Sequence, residues 1–225
     1  MPDAESLLED MKRALEALDL DGVLGTLEAA LTAGIGPEKI ISDGLSKGMD
    51  TIGRRFDDGE LFLPQVLLAS KIMDEAMEIL SKEMNTGNSD HYRAIIVMGT
   101  VSGDIHDIGK NVCVAMLRGA RYKVIDIGND VSPEDFIKAA ADASADAVGA
   151  SSLMTTTLVA QKKLVETMEE FDCQALKLFG GAPCSEEWVK SIGGDGYSSN
   201  GHDMVLLVDR LLKKRLCNQP PDLHR

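Results

Sequence analysis

The apolar residues of this chain change their period once, and that change splits it into two folding problems. Up to about residue 84 they recur at i, i+3 and i+4. Leu7, Leu8, Met11, Leu15 and Leu18 form one such stripe, and Val23, Leu24, Leu27, Ala30 and Leu31 a second. Behind Pro37 come Ile40, Ile41, Leu45, Met49 and Ile52, and behind Pro64 come Val66, Leu67, Ile72, Met73, Ala76, Ile79 and Leu80. A stripe of this period marks an amphipathic helix, and proline suits a first helical position, where the backbone N–H has no intrahelical partner. Four such segments with short connections predict a four-helix bundle over residues 1–88. The polar, turn-forming run from Asn85 to Asp90 predicts the linker.

From residue 89 to 225 short apolar runs alternate with helical stretches. Ala94 to Met98, Lys123 to Ile127, Asp146 to Ala150 and Ala175 to Phe179 read as strands, with a weaker one near Gly194 to Tyr197. Ile108 to Ala120, a segment opening at Pro133 behind Ser132, a long segment ending near Phe171, and His202 to Leu216 read as helices. Repeated strand–helix units imply an α/β domain with a doubly wound parallel sheet. Ligands of such sheets bind at the carboxyl ends of the strands.

Charge narrows the partners. The formal net charge of −14 repels a phosphate backbone, and the one basic run, Lys213-Lys214-Arg215, closes a helix, where cations suit the dipole. No nucleic-acid partner is expected. Met1 to Leu20 is acidic and amphipathic, unlike a signal peptide, and no apolar run approaches the roughly 20 residues a bilayer requires. A cytoplasmic protein without a membrane partner is the expectation. Cys113, Cys173, Cys184 and Cys217 show no metal-type pairing and read as idle thiols.

The chemistry gathers after the strands. Gly99 to Gly109, behind the first, carries Asp104 and His106, which can form a carboxylate–imidazole pair that fixes the tautomer and raises the basicity of a metal-bound histidine. A lone loop histidine is more often a surface or core residue. One histidine does not make a zinc site, so a metal held here must arrive with most of its coordination filled. Ser151-Ser-Leu153 follows the third strand and Gly180-Gly181 the fourth.

Taken together, Asp104-x-His106-x-x-Gly109, 41 residues, Ser151-x-Leu153, 26 residues and Gly180-Gly181 resemble a known signature. It is that of cobalamin-binding domains that hold the cofactor with its own benzimidazole displaced, as in methionine synthase, methylmalonyl-CoA mutase and glutamate mutase. The resemblance implies a Rossmann-like (flavodoxin-like) domain with His106 as the lower axial ligand of cobalt, supported by Asp104, Ile108 and Gly109. It implies a slot for the displaced nucleotide tail beside Ser151, Leu153, Gly180 and Gly181, a serine-like relay hydroxyl at Thr157, and Thr155 beside it as a further cofactor-binding residue. Thr155, Thr156 and Thr157 have the simpler reading of helix caps.

Phe56-Asp-Asp-Gly-Glu-Leu-Phe-Leu-Pro64 is similar to the methionine synthase segment that shields the upper face of the corrin. By that likeness Phe56, Leu63 and Val66 cover the cofactor, while bundle packing is the plain reading of all of them and the preferred one for Phe62. The pair of domains resembles the free-standing corrinoid proteins of methylamine, methanol, betaine and aryl methyl ether methyltransferase systems. Such a carrier takes a methyl group on cobalt(I) from a donor on a substrate-specific methyltransferase subunit. In the methylcobalamin state it passes that group to a second methyltransferase acting on a thiol or tetrahydrofolate, and a reductive activase restores the lowest oxidation state. It does not catalyse alone. A cobalamin-based sensor is the rival reading, but it needs an output module, and cap and binding domain fill the length. A phosphoacceptor domain, built on Asp126 or Asp130, leaves the serine and glycine motifs without a purpose. The dinucleotide fingerprint G-x-G-x-x-G does not follow the first strand.

Overall fold

The computed structural model describes residues 3–83 and 92–218. They form two compact units: residues 3–83, 92–93 and 114–123, and residues 94–113 and 124–218. The expected linker from Asn85 to Asp90, and with it the 88/89 boundary, lies outside the described residues.

The first unit is helical. Helix α1 (Ala4–Glu16) is capped by Asp3, which accepts the Ser6 N–H at 2.7 Å, and α2 (Leu20–Thr32) by Asp19, which accepts the Gly22 N–H. These bonds satisfy amide donors that have no partner within the helix. Pro37 opens α3 (Pro37–Lys39), which continues through a π-helical stretch, Ile40–Leu45, into α4 (Ser46–Asp57). Helix α5 (Leu63–Glu83) completes the set, so the four expected rods are present, the third with an unforeseen wide turn. Small residues explain how α1 approaches that rod. A Cβ at Gly44 would lie 3.0 Å from the Met11 sulfur, and one at Gly48 2.9 Å from Leu15 Cδ2. Met11, Leu15, Ile40, Ile41, Leu45 and Ile52 fill the space with aliphatic side chains, all fully buried.

From residue 94 onward the chain builds a five-stranded sheet, order β2-β1-β3-β4-β5. The strands are β1 (Ile95–Thr100), β2 (Lys123–Asp126), β3 (Ala147–Ser151), β4 (Leu176–Gly180) and β5 (Gly196–Ser198). The pairs β1/β3, β3/β4 and β4/β5 are parallel. Helices α6 (Ile108–Gly119), α7 (Pro133–Ala143), α8 (Leu158–Glu170), α9 (Glu186–Ser191) and α10 (Gly201–Asn218) connect and close it. The Ser132 hydroxyl accepts the Asp135 N–H and starts α7 as expected. Two local expectations change. The last strand sits slightly later than Gly194 to Tyr197, and α9 is new, because six residues are too few to show a helical period.

The register aligns the chemistry. Thr100, Ser151, Gly180 and Ser198 lie side by side at the carboxyl ends of β1, β3, β4 and β5. The strand order reverses between β1 and β3, and the crevice outside such a switch point is where open α/β sheets take their ligands. The loops after β1 and β3 carry His106 and Leu153.

Candidate functional site

Beyond β1 the chain turns through Gly103, whose φ of +82° is one that glycine adopts freely. Asp104 is completely buried just after it. Its Oδ1 lies 2.8 Å from His106 Nδ1 and accepts the His106 N–H at 3.1 Å. Its Oδ2 accepts the Leu153 N–H at 2.7 Å and the Thr157 hydroxyl at 2.8 Å. A carboxylate has no proton to give, so Nδ1 carries the hydrogen and Nε2 keeps its lone pair. The imidazole is about half exposed, which leaves that lone pair available to an electrophile.

The same contacts explain the charge on Asp104. Burial pushes its carboxyl up. The N–H groups of Leu153 and His106, the imidazole and the Thr157 hydroxyl outweigh burial and hold it well below the ordinary carboxylate range. The site therefore contains a fixed anion directly behind the imidazole.

Of the three candidate threonines, Thr155 and Thr156 are exposed and Thr157 is buried. Thr157 stands at the N-cap of α8 without making a side-chain cap; its hydroxyl points to Asp104 instead. Ser152, which sequence patterns did not single out, extends the chain, its Oγ lying 2.9 Å from Thr157 Oγ1. The order is Ser152, Thr157, Asp104, His106.

Apolar side chains stand out in the open around this pair. Ile105 is 71% exposed, Ile108 70% and Leu153 46%. Ile105 went unnoticed in the sequence because nothing in its neighbourhood distinguishes an outward isoleucine from an inward one. Three exposed aliphatic groups beside one available imidazole nitrogen fit a broad, flat, largely apolar ligand that needs a single axial donor. A corrin meets that description. Gly109 opens the first turn of α6 with open space above its Cα, where a Cβ would meet nothing within 4 Å.

A Cβ at Gly181, whose φ is +123°, would overlap the Ser152 carbonyl oxygen and lie 2.7 Å from its carbon. One at Gly180 would lie 2.9 Å from the Ser198 carbonyl oxygen. The protein's own backbone occupies the place a side chain would take, so the fold itself requires both glycines. Ser151 stands half-buried between Thr100 and Gly180. Beneath this row lies Gln161, fully buried. Its amide donates to the Ala150 and Gly180 carbonyls at 3.2 and 3.0 Å and accepts the Trp188 indole N–H at 2.9 Å.

Within the helical unit, Phe56 and Leu63 are partly exposed and Val66 is fully buried. Phe62, expected in the bundle, is 70% exposed, and Leu61 takes the buried place instead. Among the described residues no group of three or more His, Cys, Asp or Glu side chains could hold a metal ion. No described helix is long and apolar enough to cross a membrane.

Comparison with known proteins matches both units. Residues 7–81 and residues 94–204 each match a family described as B12 binding domain. A corrinoid protein of Desulfitobacterium hafniense is 39% identical over 93% of this chain and 99% of its own length. Dimethylamine corrinoid protein 3 of Methanosarcina acetivorans is 39% identical over 94% of this chain and 100% of its own length. Among solved structures, the methanol:cobalamin methyltransferase complex of Methanosarcina barkeri contains a chain 30% identical to this one. The likeness covers 92% of this chain and 80% of that one, with a TM-score of 0.78.

Proposed function

The chain belongs to the corrinoid proteins with paired B12-binding domains, and from that membership we propose that it is a methyl carrier whose cobalt is held from below by His106. The bound corrinoid supplies a cobalt centre that accepts a methyl group from one partner and yields it to another. The observation that carries this reading is the Asp104–His106 pair, with Nδ1 held at 2.8 Å and Nε2 facing outward among exposed Ile105, Ile108 and Leu153. Asp104 would keep the ring in one tautomer and one orientation for binding cobalt. Thr157 holds the carboxylate, Ser152 lies against Thr157, and the two offer hydroxyls through which a proton can be shared. Ser151 lines the tail slot, and Gly180 and Gly181 keep its wall thin. Phe56 and Leu63 exclude water from the upper face, a role for which Phe62, exposed on the same segment, is an added candidate.

The methyl donor in this proposal is a methylamine or quaternary amine, supported by the dimethylamine corrinoid proteins among the relatives. It is bound by a separate methyltransferase subunit. A second methyltransferase takes the group to a thiol or tetrahydrofolate, and a reductive activase rescues oxidised cobalt. The test is paramagnetic resonance of the cobalt(II) form. Wild-type protein should show one nitrogen coupling that changes when histidine is isotopically labelled. His106→Ala should lack it, and a coupling that survives in that variant sinks the assignment.

A further inference from the structure

The turn that carries His106 is held from outside by a second loop. Each of its three consecutive carbonyls accepts a hydrogen bond from beyond the turn. The Asp104 carbonyl accepts the Asp130 N–H at 2.9 Å, that of Ile105 the Asn129 side-chain amide at 3.2 Å, and that of His106 the Thr100 hydroxyl at 3.0 Å. The Asp130 carboxylate also accepts the Gly103 N–H at 2.7 Å, at the entry to the turn. Asp130 sits at φ +53°, a left-handed conformation uncommon for a residue with a side chain, and this allows its amide and carboxylate to meet the same turn. Both flanks are secured as well. Val131 bridges Val101 on one side. On the other, Lys110, buried at the start of α6, donates to both Asp126 oxygens at 2.6 and 2.5 Å, and Asp126 accepts the Gly128 N–H.

We infer that Asn129 and Asp130, in the loop after β2, are positioning residues for the axial ligand. The inference rests on His106 being that ligand. An imidazole on a loose turn would have to be ordered each time the axial bond forms, and that entropy would oppose ligation. A turn whose carbonyls are all bonded has paid it on folding. The loop thus fixes the height of Nε2 and biases the cobalt(II) equilibrium toward the ligated form. Asn129 and Asp130 touch neither cofactor nor imidazole in this scheme and act through the backbone of residues 103–106.

The experiment compares wild type, Asp130→Gly, Asp130→Asn and Asn129→Ala as full-length protein loaded with cobalamin and reduced to cobalt(II). Paramagnetic resonance over a temperature series gives the ratio of histidine-ligated to unligated cobalt. Glycine keeps the left-handed backbone and loses the carboxylate; asparagine keeps both the conformation and an acceptor for Gly103. Asp130→Gly and Asn129→Ala should each lower the ratio about fivefold, the factor of one ordinary hydrogen bond. Asp130→Asn should stay close to wild type. Amide exchange of the apoproteins supplies a second readout, with Gly103 exchanging faster in Asp130→Gly and protected in Asp130→Asn. If wild type shows histidine coupling and the glycine and alanine variants keep its ratio, the positioning role is wrong and the ligand assignment stands. If wild type shows no histidine coupling, both fall.

Discussion

Thr157 has one hydroxyl hydrogen and three oxygens in reach, Asp104 Oδ2 at 2.8 Å, Ser152 Oγ at 2.9 Å and the Met154 carbonyl at 3.0 Å. Because Asp104 is buried and charged, the bond to it dominates: a charged acceptor without its donor keeps the full cost of desolvation. Thr157→Val preserves shape and removes the donor, so it should cost the apoprotein about 1–3 kcal/mol. Thr157→Ser should cost only about 0.8 kcal/mol, for the lost buried methyl group. Urea unfolding at constant m-value measures both, and equal losses would show that the hydroxyl does not hold Asp104. The carboxyl itself predicts a pH dependence. Its value in the folded protein lies below the unfolded value of 3.8, so its stabilisation is complete above about pH 4 and is lost as pH falls further. Asp104→Asn should remove that acid-labile part of the apoprotein's melting curve. Gly181 is the third test at this scale. A side chain there meets the Ser152 backbone at φ +123°. Gly181→Ala should therefore destabilise the unliganded protein by about 2 kcal/mol or more, measured by apo melting before any cofactor is added. An unchanged melting temperature with weakened corrinoid binding would restore the tail-contact reading.

Between elements, Gln161 joins what periodicity treats separately. From the inner face of α8 it donates to the ends of β3 and β4 and accepts from Trp188 of α9, and the buried Cys184 Sγ lies 3.6 Å from its Oε1. Burial pushes the Cys184 thiol up to about 11, which fits an unreactive structural residue. Gln161→Leu keeps the volume and strands the indole N–H, at a cost of about 2 kcal/mol or more. Thermal melting checks this, and increased alkylation of Cys184 would report the opened corner; a variant as stable as wild type would show that the bonds carry no net energy. The sequence made much of this scale legible. The four helical stripes, the Ser132–Pro133 start, the strand–helix alternation and D-x-H-x-x-G all depend on residues within one segment. What escaped depends on partners far along the chain. Gln161 is a polar residue on an apolar stripe until β3, β4 and Trp188 surround it. Asn129 and Asp130 look like ordinary turn formers until their loop meets the turn of His106. The π-helical stretch before α4 follows from packing against α1, which a single helix's pattern does not contain.

At the scale of the whole molecule, the question is whether this chain can take a methyl group from its donor unaided. An amine nitrogen or ether oxygen leaves only with charge or acid assistance in the transition state. The nearest groups that could supply a proton, Asp104 and His106, are already committed: both Asp104 oxygens accept hydrogen bonds and His106 Nδ1 is bound to one of them. Lys110, which could offer positive charge, is buried against Asp126. The exposed groups beside His106, namely Ile105, Ile108 and Leu153, are aliphatic and activate nothing. On the proposed carrier reading activation comes from a docked partner, and the net charge of −14 suits one with a basic rim, so that docking should weaken as salt rises. The measurement is single-turnover spectroscopy of purified, reduced protein. With methylamines, betaine, methanol or an aryl methyl ether alone, the cobalt(I) absorption should persist. Adding the cognate methyltransferase subunit should discharge it within one turnover, more slowly at higher ionic strength. Rapid, saturable loss of the band with any of these donors and no partner would make the chain a catalyst in its own right. A partner-dependent reaction indifferent to salt would keep the carrier and remove the electrostatic account of how it docks.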